Sequence, residues 1–215
     1  MQAEEYKKLT RKEFDRAAGQ FDNDDPSIYN LCRKDYPDIL EEVKKEPFST
    51  LLDAGCGTGA MLKLLAQDVP KKEYFGIDLS ERMIEVAKEH GNAIQFLQGD
   101  CEELPYPDES FDVITCSMSF HHYPNVEKFF RNVYRTLKPG GRLILRDMTT
   151  QNTFVMWFIN HVELPLLNRF CGKGDVRCYS RQDVQKLCDL SGLRLESFEV
   201  RKGMRLHAVI RKPQI

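Results

Sequence analysis

The 215-residue chain has no CxxC pair, no Cys/His spacing of the zinc-site kind and no apolar run of about 18 residues. Its first residues, MQAEEYKKLTRKEF, hold no apolar h-region. These absences argue against a zinc finger, a membrane-spanning helix and a secretory signal peptide. The seven cysteines are odd in number and scattered, so reduced thiols and a cytoplasmic location are expected, with no metal. Charge of one sign is also lacking. The 31 Lys and Arg against 33 Asp and Glu leave −2, too little positive charge for a general nucleic-acid binder. Residues 151–215 alone hold eleven Lys or Arg and six Asp or Glu, which reads as a solvated basic surface. Internal repeats and low-complexity segments are absent.

Alternation is what the chain does have. From residue 47 onward the short runs FSTLLDA, EYFGIDL, AIQFLQG, DVITCSM, RLILRDM, RLESFEV and MRLHAVI are separated by helical patterns. The first five are nearly continuous in apolar character, as strands covered on both faces should be. SERMIEVAKEHG starts at the capping Ser80 and stops at Gly91. NVEKFFRNVYRTLKPGG spaces Phe129, Val133 and Leu137 by four and breaks at Pro139. SRQDVQKLCDLSGL pairs Ser180 with Asp183 at capping-box spacing. Only RKG joins the last two strands, so they must form an antiparallel hairpin. The expected fold is α/β: a Rossmann-like, seven-stranded, mostly parallel sheet with one antiparallel strand in a C-terminal hairpin and helices on both faces. Residues 1–46 read as a helical, polar extension.

The first strand ends at Asp53 and runs into Gly55-Cys56-Gly57-Thr58-Gly59. This G-x-G-x-G lacks the dinucleotide spacing G-x-G-x-x-G, and no G-K-[ST] follows as in a P-loop. Asp78 closes the second strand, where a carboxylate can accept both hydroxyls of a ribose. Asp100 closes the third and can accept from an adenine amine. The three read a nucleoside without polyphosphate. Asp53 would repel an anion and suits a ligand bearing ammonium and sulfonium charge, such as S-adenosylmethionine.

LLDAGCGTG, YFGIDLSERMIEVAK, GDCEELPYPDESFDVI and VYRTLKPGGRLIL resemble, in order, the motifs of class I S-adenosylmethionine-dependent methyltransferases. The resemblance is to the small-molecule branch that includes ubiquinone/menaquinone-biosynthesis C-methyltransferases, densely over residues 48–148. It implies an enzyme that uses S-adenosylmethionine and releases S-adenosylhomocysteine. It implies that Gly55, Gly57 and Gly59 pass under the methionine part of the cofactor, that Asp53 meets its amino end, that Asp78 holds the ribose, and that the adjoining Leu79 also contacts the cofactor. Met83 would lie on the adenine, Asp100 and Cys101 at its edge, Ser117 by the methionine moiety, and Cys56 would be a packing residue of the loop.

Methyl transfer from a sulfonium needs alignment and exclusion of water, and a base only where the acceptor arrives protonated. The SFHHYPN cluster supplies His121 and His122, not separable as bases, with Tyr123 beside them. Phe21 and Tyr29 of the N-terminal segment, and Phe154, Trp157, Phe158 and His161 of an apolar insertion, are the candidate acceptor contacts; burial against the sheet or a homodimer contact explains the insertion equally well. The domain reading is a lid over 1–46 and a methyltransferase domain over 47–215 with a substrate-covering insertion at 150–178. A small, apolar or aromatic acceptor is expected, with no nucleic acid partner. The alternatives are a nucleoside-fold binding protein without catalysis and a methyltransferase of macromolecules.

Overall fold

The structure, a computed structural model, describes residues 1–20, 32–89 and 93–214. Phe21, Asp22, Tyr29 and Gly91 lie outside the described residues. Seven strands form one sheet in the order β3-β2-β1-β4-β5-β7-β6. They are β1 (Thr50–Ala54), β2 (Glu73–Asp78), β3 (Ile94–Gln98), β4 (Phe111–Ser117), β5 (Leu137–Met148), β6 (Arg194–Arg201) and β7 (Arg205–Arg211). Strands β1 to β5 pair in parallel. Strand β7 is antiparallel to both β5 and β6 and is the one reversed strand; its antiparallel pairing with β6 is what the short RKG connection required. The chain starts in the middle of the sheet, builds outward through β2 and β3, then returns to β4 on the other side of β1. That reversal opens a crevice beyond the carboxyl ends of β1 and β4, where ligands of open α/β sheets bind.

The central strands are buried on both faces, Leu51, Leu52, Ile114, Leu143 and Leu145 showing no exposure. Strand β3 departs from the expected two-sided burial. It is an edge strand with Gln95, Leu97 and Gln98 exposed, because IQFLQ alternates and only Ile94 and Phe96 turn inward.

The described α-helices are α1 (Ala3–Ala17), α2 (Tyr36–Lys44), α3 (Ala60–Asp68), α4 (Glu81–Lys88), α5 (Val126–Thr136), α6 (Thr153–Phe158), α7 (Leu164–Cys171) and α8 (Arg181–Ser191). Helix α5 buries Phe129, Phe130 and Val133 against Phe111 and Phe120. Each such side chain contributes about 1.5–3 kcal/mol relative to exposure. The helix ends at Thr136 and Leu137 opens β5, whose pairing with β4 shifts register between Phe111 and Val113. The Ser80 hydroxyl caps α4 by accepting from the Met83 N–H at 3.1 Å. Ser180 and Asp183 cap α8 reciprocally. A π-turn, Ile159–Glu163, joins α6 to α7 across the insertion.

Candidate active site

The glycine loop is shaped by what it touches. The Gly55 and Cys56 N–H groups both donate to the Ile77 carbonyl, at 2.9 and 3.0 Å, which ties the loop to β2. Gly55 has φ +78°, and a Cβ there would stand 2.0 Å from Ser119 Oγ, so no other residue fits without displacing that serine. Gly59 starts α3 in the left-handed region, and a Cβ there would meet the Phe96 ring at 2.5 Å.

A cavity of about 440 Å³ opens above this loop. Asp53, Gly55, Cys56, Gly57, Asp78, Leu79, Asp100, Cys101 and Ser117 all line it. Gly59 and Met83 do not. Gly59 packs on Phe96, and Met83 is fully buried with Ala17 and Ala18, where it anchors α4 to α1. Both therefore stand off the cavity: helical spacing put Met83 on the inner face of α4, and that face meets the N-terminal helix.

Asp53 is buried, and its Oδ1 accepts from the Thr115 hydroxyl at 2.7 Å. Burial raises its carboxyl to about 7, against the Thr115 bond and with help from the Asp78 charge. Asp78 accepts the Gly57 N–H through Oδ2 and the Ser80 N–H through Oδ1, each at 2.9 Å. Burial raises it too, and these N–H groups hold the rise back. Each oxygen keeps a lone pair for a further donor. The Ser117 hydroxyl is buried on the cavity wall with no hydrogen-bond partner among the described residues. Burial pushes the Cys56 thiol well above its ordinary range, which suits packing and not nucleophilic attack.

Lys7 was not singled out in the sequence. From α1 its ammonium reaches Asp100 and Glu102, each at 2.6 Å. Burial opposes the charge, but the two carboxylates outweigh it and hold the amine protonated. Glu102 is itself buried and accepts from Asn125 Nδ2 at 2.9 Å. Asp15 accepts from the Ser80 hydroxyl at 2.6 Å, Glu13 pairs with Lys173, and Thr10 donates to the Gly174 carbonyl at 3.3 Å. Helix α1 therefore bridges the cofactor-side loops to the insertion. A lysine among other surface lysines of an amphipathic helix gives no such signal.

His121 and His122 are both buried on the cavity wall, their rings 4.0 Å apart. His121 Nδ1 lies 2.7 Å from Asp147 Oδ1, and its backbone N–H donates to Asp147 Oδ2 at 3.1 Å. Burial works to lower His121, but Asp147 and Asp175 outweigh it and raise the group to about 9. Burial and the neighbouring His121 lower His122 to about 4. The pair that sequence could not separate is thus separated by environment. Asp147 closes the apolar run of β5, as Asp53, Asp78 and Asp100 follow theirs, and that position was the available signal for it. Asp175 lies late in the insertion, after α7, in a segment without secondary structure and carried none.

Tyr123 lines the cavity, its hydroxyl 2.8 Å from Ser119 Oγ. The other described acceptor candidates do not line it. Phe154 is 71% and Trp157 52% exposed, and Phe158 and His161 share their face of the helical insertion. The Trp157 ring stacks on His161 at 5.3 Å. The insertion does cover the cavity, but through Ile159, Glu163, Leu164 and Leu167. The largest aromatics drew the sequence reading to one face of the helix, and the opposite face turned inward.

Residues 52–145 match the family model described as a methyltransferase domain. The uncharacterized methyltransferase YcgJ of Bacillus subtilis is 33% identical over 155 residues, 69% of this chain and 58% of that relative. The demethylmenaquinone methyltransferase of Thermotoga maritima is 32% identical over 151 residues, 68% of this chain and 65% of that one. The chain thus spans 58% to 65% of the length of these two relatives. The structure of an S-adenosylmethionine-dependent methyltransferase from Aquifex aeolicus superimposes with a TM-score of 0.67 at 21% identity, covering 94% of this chain and 98% of that one. Residues 52–145 are accordingly similar to a methyltransferase domain, and the sheet has the Rossmann-like fold.

Proposed function

We propose, from the similarity of residues 52–145 to a methyltransferase domain, that this chain transfers the methyl group of S-adenosylmethionine to a small apolar or aromatic acceptor. One observation carries the reading. Asp53, Asp78, Asp100 and the unpartnered Ser117 hydroxyl, from the ends of four strands or the loops just beyond them, converge on one cavity at the point where strand order reverses. The residues fit the cofactor chemically. Asp53 offers a carboxylate to an ammonium, Asp78 two acceptor oxygens to a ribose, and Ser117 a hydroxyl still to be used. When bound, the cofactor supplies a methyl group made electrophilic by its sulfonium. The chain's own part is to orient the acceptor and exclude water. Ile159, Leu164 and Leu167 form an apolar wall suited to a ring or chain, and Tyr123, His121 and His122 supply polar groups near it. One relative is named for demethylmenaquinone, and an apolar ring of that kind suits this wall.

A small-molecule acceptor is favoured over nucleic acid by the net charge of −2. Among the described residues no helix is long and apolar enough to cross a membrane. All seven cysteines are free, which agrees with a reducing cytoplasmic setting. Calorimetry with S-adenosylhomocysteine should show one binding site, and NAD should show none. Turnover should then follow in a screen of phenols and quinols. Binding of NAD in place of S-adenosylhomocysteine would overturn the reading.

Helix α1 acts as a lid in this proposal, held shut by Lys7, Glu13 and Asp15. Amide exchange in α1 should slow when S-adenosylhomocysteine binds, while α8 is unchanged. Lys7→Met should speed exchange in α1 of the free protein. Equal exchange in α1 with and without ligand would make it a fixed scaffold.

A further inference from the structure

Beside the acceptor wall stands a cluster that methyl transfer from a sulfonium does not itself require. His121 Nδ1 is taken up by Asp147 Oδ1 at 2.7 Å, so Nε2 is the ring atom left for another partner. That atom lies 3.5 Å from Asp175 Oδ1. His122 Nδ1 lies 3.2 Å from the same oxygen, yet it is buried without a hydrogen-bond partner among the described residues. One donor atom from each of the three residues falls within 4.8 Å of the others. A tetrahedral ion with bonds of about 2.0–2.1 Å spaces its donors about 3.3–3.4 Å apart, close to both measured edges.

The surroundings hold this arrangement in place. The His121 carbonyl accepts the Val176 N–H at 2.7 Å, which pins the Asp175 segment to the histidine turn. The Phe14 ring packs edge-on against His122 at 5.2 Å. Asp147 behind His121 reproduces the carboxylate–histidine pairing that orients metal-bound imidazoles. Two imidazoles with one direct and one supporting carboxylate place two negative charges around the site, matching a divalent ion. Two nitrogens and one oxygen select a borderline transition metal over magnesium or calcium.

We propose that His121, His122 and Asp175 bind one divalent first-row transition-metal ion, of the zinc type, with a position left open to the cavity. The inference rests on the methyl-transfer reading for its purpose, since it places the ion's open position where an acceptor hydroxyl or thiol would sit. Such an acceptor gives up its proton to solvent on binding. Its lone pair then forms the bond to the methyl carbon as the S–CH₃ bond breaks, the electron pair staying on sulfur. The ion takes the place of the general base considered from the sequence. Ligands drawn from adjacent histidines and a distant aspartate match no sequence motif, which is why the sequence predicted no metal.

The test is zinc titration of the chelator-stripped full chain against a chromophoric competitor. One equivalent should bind with a Kd below about 1 μM, and cobalt in its place should give visible d–d bands of low coordination number. His122→Ala and Asp175→Asn should each weaken zinc binding at least about 100-fold, and Asp147→Asn about 10- to 100-fold. Thermal unfolding and S-adenosylhomocysteine calorimetry on the same samples report fold and cofactor site separately, with His122→Gln as the second variant if His122→Ala unfolds. A wild-type chain with no zinc site tighter than about 10 μM, or equal affinity in folded variants, overturns the proposal. Loss of S-adenosylhomocysteine binding by the wild type would instead overturn the methyl-transfer reading and leave the zinc stoichiometry standing.

Discussion

Replacing Asp78 by alanine should weaken S-adenosylhomocysteine binding about 30- to 1000-fold, the equivalent of about 2 to 4 kcal/mol. The carboxylate has two jobs in this structure. Its oxygens brace the loop by accepting the Gly57 and Ser80 N–H groups. The same oxygens face the cavity, where each can take a second donor from a ribose hydroxyl. Hydrogen bonds to a charged group are worth about 1.5–3 kcal/mol each, so losing two sets the scale even after some is recovered by water. The brace is the competing explanation, and the two separate by measurement. If Asp78 only braces the loop, Asp78→Ala lowers the melting temperature while a folded sample binds the ligand as before. If it also receives the ribose, affinity falls far more than the melting temperature accounts for, and adenine alone loses little. Unchanged affinity in calorimetry would sink the ribose assignment.

The parallel run of β1 to β5 and the antiparallel β6–β7 hairpin were legible because they follow from connection lengths: a three-residue link cannot cross over, and a helical link can. The order of the strands across the sheet was not, because it depends on which edge each crossover packs against. The cofactor side of the cavity was legible for a related reason. Asp53, Asp78, Asp100 and Ser117 sit at or just past the ends of apolar runs, and a parallel sheet gathers such ends along one edge. Met83 lies off the cavity because position on a helix face does not say which neighbour that face meets. The acceptor side was largely hidden. Ile159, Leu164 and Leu167 line it while Phe154, Trp157 and Phe158 do not, and both sets recur at helical spacing. Size and aromaticity favoured the set that lies outside the cavity. Lys7 and Asp175 reach the cavity only through tertiary packing of α1 and the segment after α7, which no local pattern encodes.

The affinity for S-adenosylhomocysteine should fall about tenfold between pH 8 and pH 6, and Asp53→Asn should flatten the profile. Burial raises the Asp53 carboxyl to about 7 in the free protein. The ligand's amino group stays an ammonium throughout this window, so it favours the carboxylate form. Below about pH 7 that form must first be made by releasing a proton, which costs a factor of about ten per pH unit; above it, no cost remains. The stability effect has the opposite sign. The folded value lies above the unfolded one of about 3.9, so the folded chain holds the extra proton between about pH 4 and pH 7. This group's contribution to stability is full below that window and is lost as pH rises through the folded value. An ammonium seated against Asp53 offsets the loss, so the rise in melting temperature produced by the ligand should be larger at pH 8 than at pH 6. The amide introduced by Asp53→Asn would keep an acceptor for the Thr115 hydroxyl, now 2.7 Å from Asp53 Oδ1, so the variant should fold and report on charge alone. Calorimetry in buffers of different ionisation enthalpy should show release of close to one proton per site at pH 6 in the wild type and none from this position in Asp53→Asn. A flat wild-type profile, or an unchanged slope in the variant, would assign the ammonium to another partner.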